Sequence, residues 1–153
     1  MKRTKRNNKG FSLVELIIVI AIMAILAGIL APQFIKYIGK SRVSTDIQNA
    51  QHMATALSTE FADAERTDPV TSQTVTDGTA KWDGDTAADS KSRAQKDVFG
   101  GVPKVKADSK YKFAYTITGS GEVTVSVTDG TNAYTLYPEV DSKNEPTNKW
   151  KQN

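Results

Sequence analysis

The sequence contains no cysteine and only one histidine, His52. Without cysteine the chain has no disulfide, no thiolate metal ligand and no cysteine nucleophile. One histidine gives little to a histidine-based metal site or a serine triad, so we expect His52 to lie on a helix surface or at an interface. No glycine-rich phosphate loop follows a strand-like run. The sequence therefore predicts no catalytic residue, no metal and no cofactor.

Positive charge is scarce once residues 1–10 are set aside. The whole chain has 20 basic and 17 acidic residues. Five of the basic residues lie at the N-terminus, and they are Lys2, Arg3, Lys5, Arg6 and Lys9. The remainder has 15 basic against 17 acidic side chains, a net charge of −2. We therefore predict no nucleic-acid partner, because the positive charge belongs to a short tag and not to a domain.

Residues 16–35 contain no charged side chain, and Lys36 ends this run. A helix of that length spans about 30 Å, which matches the hydrocarbon core of a bilayer. The basic cluster precedes the run, so the positive-inside rule keeps the N-terminus cytoplasmic and places the rest of the chain outside.

A secretory signal peptide and a plain uncleaved anchor are two alternative interpretations of this segment. The apolar run is longer than the 7–15 residues usual for a signal peptide. The small-residue pattern of a signal-peptide cleavage site is also poor here, since Ile29, Leu30 and Ala31 are followed by Pro32. Both alternatives are disfavoured for a further reason, which is the position of Glu15.

Glu15 places an ionisable group at the start of the apolar run. A carboxylate is costly inside a membrane, so its presence there points to a function and to a partner for its charge. A simpler interpretation is that Glu15 lies in the headgroup region and favours the helix N-terminus through the helix dipole.

The segment Lys9-Gly10-Phe11-Ser12-Leu13-Val14-Glu15-Leu16 resembles the processing motif of type IV prepilins and related pseudopilins. In that family a short basic leader ends in glycine, the first mature residue is apolar, and the fifth is glutamate. Here the leader ends at Gly10, Phe11 follows it, and Glu15 is the fifth residue from Phe11. The resemblance is dense over residues 1–40, whereas the remainder matches only in general architecture.

The resemblance implies a filament subunit without enzymatic activity. A prepilin peptidase would cut between Gly10 and Phe11 and methylate the new amino group of Phe11. Glu15 would then pair with the ammonium of Phe11 on a neighbouring copy in the filament. Assembly would require an inner-membrane platform and ATPase motors, and the product would be an extracellular type IV pilus that supports adhesion, twitching motility or aggregation.

Gly28 and Pro32 predict a place where the apolar helix bends or unwinds. A harmless kink is the alternative, because membrane helices tolerate both residue types. In the family that the motif resembles, a proline near this point accompanies helix melting in the filament. The glycine often found a few residues earlier in that family is replaced by Ala24.

Beyond Pro32 the apolar residues recur at spacings of three and four, which predicts an amphipathic helix that ends near Arg66, before Pro69. Its predicted apolar stripe comprises Ile47, Ala50, Ala54, Leu57, Phe61 and Ala64. The polar residues assigned to other faces are Lys40, Arg42, Asp46, Gln48 and Glu60.

Residues 67–104 are polar and predict a long loop with a helical turn or two around residues 87–97. Three alternating runs follow, at residues 111–118, 123–127 and 131–137, with glycine turns between them, and they predict an antiparallel meander. Only Val140 and Trp150 are suited to anchor the polar tail. The predicted class is α+β, with the amphipathic half of the N-terminal helix packed on a small antiparallel β-sheet.

One acidic stretch, with Asp83, Asp85 and Asp89, invites a calcium interpretation. An EF-hand loop that begins at Asp83 would place alanines where an oxygen ligand, a glycine and a glutamate are required. We therefore expect a solvated acidic turn.

The sequence thus divides into six predicted segments. They are a basic leader (1–10), a transmembrane and assembly half of the helix (11–35), an amphipathic half (36–66), a helix-to-sheet loop (67–104), a β-meander (105–138) and a tail (139–153). Two other functions remain open at this point. One is a pseudopilin of a type II secretion or DNA-uptake machine, and the other is a monomeric membrane-tethered binding domain in which the motif is coincidental.

Overall fold

The N-terminal helix α1 spans Leu13–Asp63 in a computed structural model of the chain. The structure describes residues 10–65, 67–76, 81–82, 93–143 and 147–151. The chain divides into two units, Met1–Ile38 and Gly39–Asn153, and α1 contributes residues to both. The predicted basic leader, residues 1–9 with its five cationic side chains, lies outside the described residues.

Four antiparallel strands form the sheet of the second unit. They are β1 (Val70–Thr74), β2 (Lys112–Ile117), β3 (Val123–Thr128) and β4 (Ala133–Tyr137), in the spatial order β1-β2-β3-β4. Strands β2, β3 and β4 confirm the predicted meander. Side chains of one face are buried, as the period of two requires, and Phe113, Val125 and Leu136 are each at most 1% exposed. In β2 the intervening Ala114 is buried as well.

Strand β1 lies in the segment that the sequence predicted as a loop. It pairs with β2, with Val70 opposite Ile117 and Thr74 opposite Ala114, and the register shifts between Val70 and Gln73. Of its five residues only Val70 is buried. The strand was missed because its sequence has no apolar alternation, and its conformation comes from pairing with the edge of β2.

The core of the second unit forms between the sheet and the C-terminal half of α1. All six predicted stripe residues of the helix contact this core, five of them buried and Ala64 partly buried. The structure therefore confirms the α+β class and the packing of helix on sheet.

Helix α1 ends three residues before the predicted boundary at Arg66, which itself lies outside the described residues. The chain tightens after the helix: the amide of Glu65 donates at 3.1 Å to the carbonyl of Ala62, which is three residues earlier and not four. Glu65 then adopts a left-handed backbone with φ of 52°. A left-handed residue just past the last turn is a common way for helices to end.

A short helix, α2 (Gln95–Val98), lies in the C-terminal part of the loop. Its Gln95 Nε2 donates 3.2 Å to the hydroxyl of Tyr115 on β2, and that hydroxyl donates to the carbonyl of Trp82. Trp82 and Gln95 are both buried. Buried polar contacts therefore fix two residues of the loop, Trp82 and Gln95, to Tyr115 in the middle of β2.

Candidate functional site

The residues around Glu15 form a helix N-cap. Helix α1 begins at Leu13, so Ser12 is the N-cap residue and Glu15 is the third helical residue. The amide of Ser12 donates 2.9 Å to Glu15 Oε2, and the amide of Val14 approaches Ser12 Oγ at 3.4 Å. This reciprocal arrangement is a variant of the capping box, because Ser12 Oγ meets the amide of the second helical residue and not that of the third. The two side chains serve amides that the helix leaves without partners.

The spacing Ser-x-x-Glu before an apolar run is the sequence signal for this box. The expectations for Glu15 concerned the helix dipole and the pairing with Phe11, and the capping contact was missed. In the single chain the Glu15 carboxylate thus accepts a hydrogen bond from the amide of Ser12. Its predicted pairing with Phe11 of a neighbouring copy involves an amino group that exists only after cleavage.

The peptide bond between Gly10 and Phe11 precedes the helix. Residues 10–12 have no helical or strand assignment. The Phe11 side chain is 88% exposed, and no atom lies within 4 Å of the position that a Cβ on Gly10 would occupy. A peptidase can therefore approach this bond without first unfolding a helical turn.

The first half of α1 carries a continuous apolar surface, whose large side chains are exposed in the described residues. Within residues 11–38, the exposed large apolar side chains include Phe11 at 88%, Leu13 at 73% and Ile35 at 70%. One helix among the described residues is long and apolar enough to cross a membrane, and it is α1. An apolar surface of this extent marks a region that is covered by lipid or by other protein chains.

Gly28 and Pro32 lie inside α1, which is assigned as helix without interruption from Leu13 to Asp63. The single chain therefore has no unwound turn at this place. Unwinding in a filament stays a prediction, because it concerns a different environment.

A second polar site lies in the unit Gly39–Asn153, around Asp46. Its Oδ1 accepts from the amide of Lys106 at 2.7 Å, and its Oδ2 accepts from the amide of Ala107 at 2.9 Å and from Trp150 Nε1 at 3.0 Å. Asp46 and Trp150 are both completely buried. The three donors satisfy the carboxylate, as burial of a charged group requires.

The assignment of Asp46 to a polar face of the helix was wrong. Asp46 precedes Ala50 by four residues and Met53 by seven, so helical spacing places it on the buried stripe. The position of Asp46 in the helix indicated burial, whereas its charged side chain led to the expectation that it faces solvent. Trp150 was predicted to anchor the tail, and its complete burial agrees with that prediction.

The remaining candidate residues form no reactive cluster in the part of the chain that the structure describes. His52 is exposed on α1. Within the described residues no group of three or more His, Cys, Asp or Glu side chains could hold a metal ion. The acidic stretch with Asp83, Asp85 and Asp89 lies outside them.

Comparisons with known proteins point to the N-terminal part of the chain. Residues 5–31 match a family model described as the prokaryotic N-terminal methylation motif. These residues include the Gly10–Phe11 bond, the capping box and most of the apolar surface. This part of the chain thus combines an N-terminal methylation motif with an exposed apolar helix.

Several relatives carry fimbrial or pilin names. The chain is 44% identical over 64 residues to the type IV major fimbrial protein FimA of Dichelobacter nodosus, which is 42% of this chain and 40% of that protein. It is 39% identical over 66 residues to the type IV major pilin protein PilA of Myxococcus xanthus, 43% of this chain and 30% of that protein. A fimbrial protein of Moraxella nonliquefaciens is 43% identical over 65 residues, 39% of this chain and 42% of that protein.

The chain thus matches less than half the length of each of these relatives. No solved structure matches it. Over its N-terminal part the chain is therefore similar to proteins that carry type IV fimbrial and pilin names.

Proposed function

We propose that the chain is a structural subunit of an extracellular type IV pilus. One observation carries this proposal: residues 5–31 match the N-terminal methylation motif and include both an accessible Gly10–Phe11 bond and an exposed apolar helix with one carboxylate near its start. The fimbrial and pilin relatives favour this function over a pseudopilin of a secretion machine.

The first step of the proposed function is processing. A membrane prepilin peptidase cuts between Gly10 and Phe11 and methylates the new amino group of Phe11. Gly10 and Phe11 act here as substrate positions. Both lie before the first turn of α1, where an extended strand of substrate fits a protease cleft without distortion of the helix.

The second step is anchoring. Before assembly the apolar surface of residues 11–35 lies in the cytoplasmic membrane, with the basic leader on the cytoplasmic side and residues 36–153 outside. The six sequence segments keep their proposed roles, with the correction that residues 67–104 contain strand β1 and helix α2.

The third step is assembly, in which the apolar helices leave the lipid and pack together, driven by a platform and ATPase motors elsewhere in the cell. The Glu15 carboxylate pairs with the Phe11 ammonium of a neighbouring copy. A displaced copy would leave both charges buried without partners, so the pair fixes the register of the helices. Helix unwinding at Gly28 and Pro32 adjusts the bundle in the filament.

Two substitutions at Glu15 separate its capping role from its charge. Glu15→Gln keeps an oxygen that accepts from the amide of Ser12 but removes the charge, whereas Glu15→Ala removes both. The pairing mechanism predicts that both variants are processed and that neither enters filaments, measured by electron microscopy with antibody to residues 67–153. Glu139→Ala, at an exposed glutamate of the second unit, is the matched control and should assemble normally.

Filaments of Glu15→Gln at the wild-type level would contradict the charge pairing and leave capping as the function of Glu15. Absence of labelled filaments from cells that express the wild-type chain and its peptidase would contradict the proposed function as a whole.

A further inference from the structure

The unit Gly39–Asn153 carries a cluster of lysines at one end, which we call the basic end. Four exposed lysines define it, and they are Lys104, Lys106, Lys110 and Lys112. They occur within nine residues, a segment whose one acidic residue is Asp108.

The lysine segment packs beside α1, close to the point where the helix enters the unit Gly39–Asn153. The amides of Lys106 and Ala107 bind the Asp46 carboxylate, so the lysine segment lies beside the first turns of α1 in this unit. Lys104 and Lys112 also line a cavity of about 240 Å³ whose walls include Val75, Val105 and Tyr111. The basic end is therefore a fixed surface with an apolar recess.

The acidic groups near this end already have partners. Asp108 accepts from Lys149 Nζ at 2.6 Å. Asp129 lies on the turn after β3, and its Oδ1 accepts from the amides of Thr131 and Asn132 at 2.9 and 2.7 Å. Asp108 also accepts from the amide of Lys110 at 3.0 Å and so lies close to one of the four lysines. With Lys149 included, five lysines face these two carboxylates, and the end keeps an excess of positive charge.

The opposite end of the unit is acidic. Four exposed carboxylates define this acidic end, and they are Asp63, Glu65, Asp68 and Glu122. Asp63 is the last residue of α1, Glu65 and Asp68 follow it in the chain, and Glu122 lies on the turn between β2 and β3. Arg66 falls between them in the sequence and lies outside the described residues.

Two contacts bring the acidic residues to one place. A Cβ on Gly121 would lie 3.5 Å from the Phe61 ring, and a Cβ on Gly119 would lie 2.8 Å from the carbonyl oxygen of Thr67. The turn between β2 and β3 therefore packs against the end of α1. From Lys112 to Ile117 along β2 the two ends are about 17 Å apart, and from Asp46 to Asp63 along α1 about 25 Å.

We propose that the basic end of one copy docks on the acidic end of a second copy of this chain. This inference rests on the proposed function, because it assigns the contact between the soluble units of a filament. The two surfaces are different patches of the same unit, so the contact is heterologous, and a heterologous contact that does not close into a ring repeats without limit.

Charge complementarity favours a second copy over other anionic partners. An anionic lipid surface or a nucleic acid would use the basic end alone and would leave the acidic end without a role. Four lysines on one end and four carboxylates on the other match within one molecule. Exposed ion pairs are individually weak, so their contribution is to orient the units and to select the register between copies.

Charge reversal in the full-length chain tests the contact. Lys110→Glu with Lys112→Glu reverses part of the basic end, and Asp63→Lys with Glu65→Lys reverses part of the acidic end. Each pair alone should lower the yield of filaments about tenfold, because like charges then face each other. All four substitutions together should restore most of the wild-type yield. Lys96→Glu on α2 is the control and should leave the yield unchanged.

The pattern of yields decides between the partners. Loss with the basic-end pair and no rescue by the acidic-end pair would overturn the proposal and favour a lipid or nucleic-acid partner. Wild-type yields for each pair alone would also overturn it. In both results the wild-type chain still forms filaments, so the proposed function survives, whereas absence of wild-type filaments refutes the proposed function itself.

A measurement on wild-type filaments removes any dependence on the folding of variants. Salt screens exposed charges but has little effect on buried pairs such as the one proposed for Glu15. The temperature at which filaments dissociate should therefore fall when NaCl rises from about 0.05 to about 0.5 M, since the Debye length shrinks severalfold. An unchanged or higher dissociation temperature would overturn the contact.

Discussion

Trp150 Nε1 donates a hydrogen bond of 3.0 Å to Asp46 Oδ2 across 104 residues of sequence. The same carboxylate holds the amides of Lys106 and Ala107, so one aspartate on α1 joins the helix, the segment before β2 and the tail. In a chain without cysteine, these hydrogen bonds join distant segments as a disulfide does in many secreted domains.

Replacing Asp46 by alanine should destabilise the unit Gly39–Asn153 strongly. The change leaves two backbone amides and the indole NH without their acceptor, at a cost of about 3 kcal/mol in the free energy of unfolding. Urea unfolding of the full-length chain in detergent, followed by tryptophan fluorescence, measures this loss. Gln48→Ala, at an exposed position of the same helix, is the control and should change the free energy by less than about 0.5 kcal/mol.

Trp150→Phe should have a smaller effect, because two of the three donors to Asp46 remain. We expect a loss of about 1–2 kcal/mol from the missing hydrogen bond and the reduced volume. Equal losses for Asp46→Ala and Trp150→Phe would contradict the view that the carboxylate also holds the segment before β2.

The stability of the unit Gly39–Asn153 should depend on the charge of Asp129. Hydrogen bonds from the amides of Asn132 and Thr131 lower the pKa of this carboxyl from 3.8 to about 2. A lowered pKa in the folded state means that the group stabilises the fold above pH 3.8 and loses this contribution as the pH falls towards 2. The melting temperature of Asp129→Asn should therefore fall less than that of the wild type between these pH values.

Asp63→Asn, at an exposed helical aspartate, is the matched control for the pH experiment. Its melting temperature should follow the wild-type profile. If Asp129→Asn and Asp63→Asn gave the same profile, the hydrogen bonds of the turn would contribute nothing to the acid sensitivity.

Gly119 should tolerate no side chain. A Cβ there would lie 2.8 Å from the carbonyl oxygen of Thr67, and a backbone atom gives way less easily than a flexible side chain. Gly119→Ala should therefore lower the free energy of unfolding by about 1–3 kcal/mol. Gly39→Ala, in a helix with nothing within 4 Å, should raise it by up to about 1 kcal/mol, and a loss at Gly39 equal to that at Gly119 would contradict the steric explanation.

The sequence predicted the elements whose apolar residues are periodic. The helical stripe with Ala50 and Leu57 and the alternating strands with Phe113 and Val125 were predicted because burial on one face imposes spacings of three and four or of two. The α+β class followed, because the helix stripe and the strand face were the two surfaces large enough to form a core.

The features that the sequence did not predict depend on contacts between distant residues. Strand β1 follows from pairing with β2, and the burial of Asp46 follows from Trp150 at the other end of the chain. The pairing of β1 leaves no mark in local periodicity. Helical spacing did place Asp46 on the buried stripe, but it could not indicate Trp150 as its partner. At the N-terminus the reverse holds, since Ser12 and Glu15 are three residues apart and their capping box was open to prediction from the sequence.

The intact mass of the subunit in purified surface filaments tests the central claim most directly. We expect a chain that begins at Phe11 and carries one added methyl group, and cells without the prepilin peptidase should retain residues 1–10 and form no filaments. A filament subunit that begins at Met1, or one cut at any bond other than Gly10–Phe11, would contradict the account.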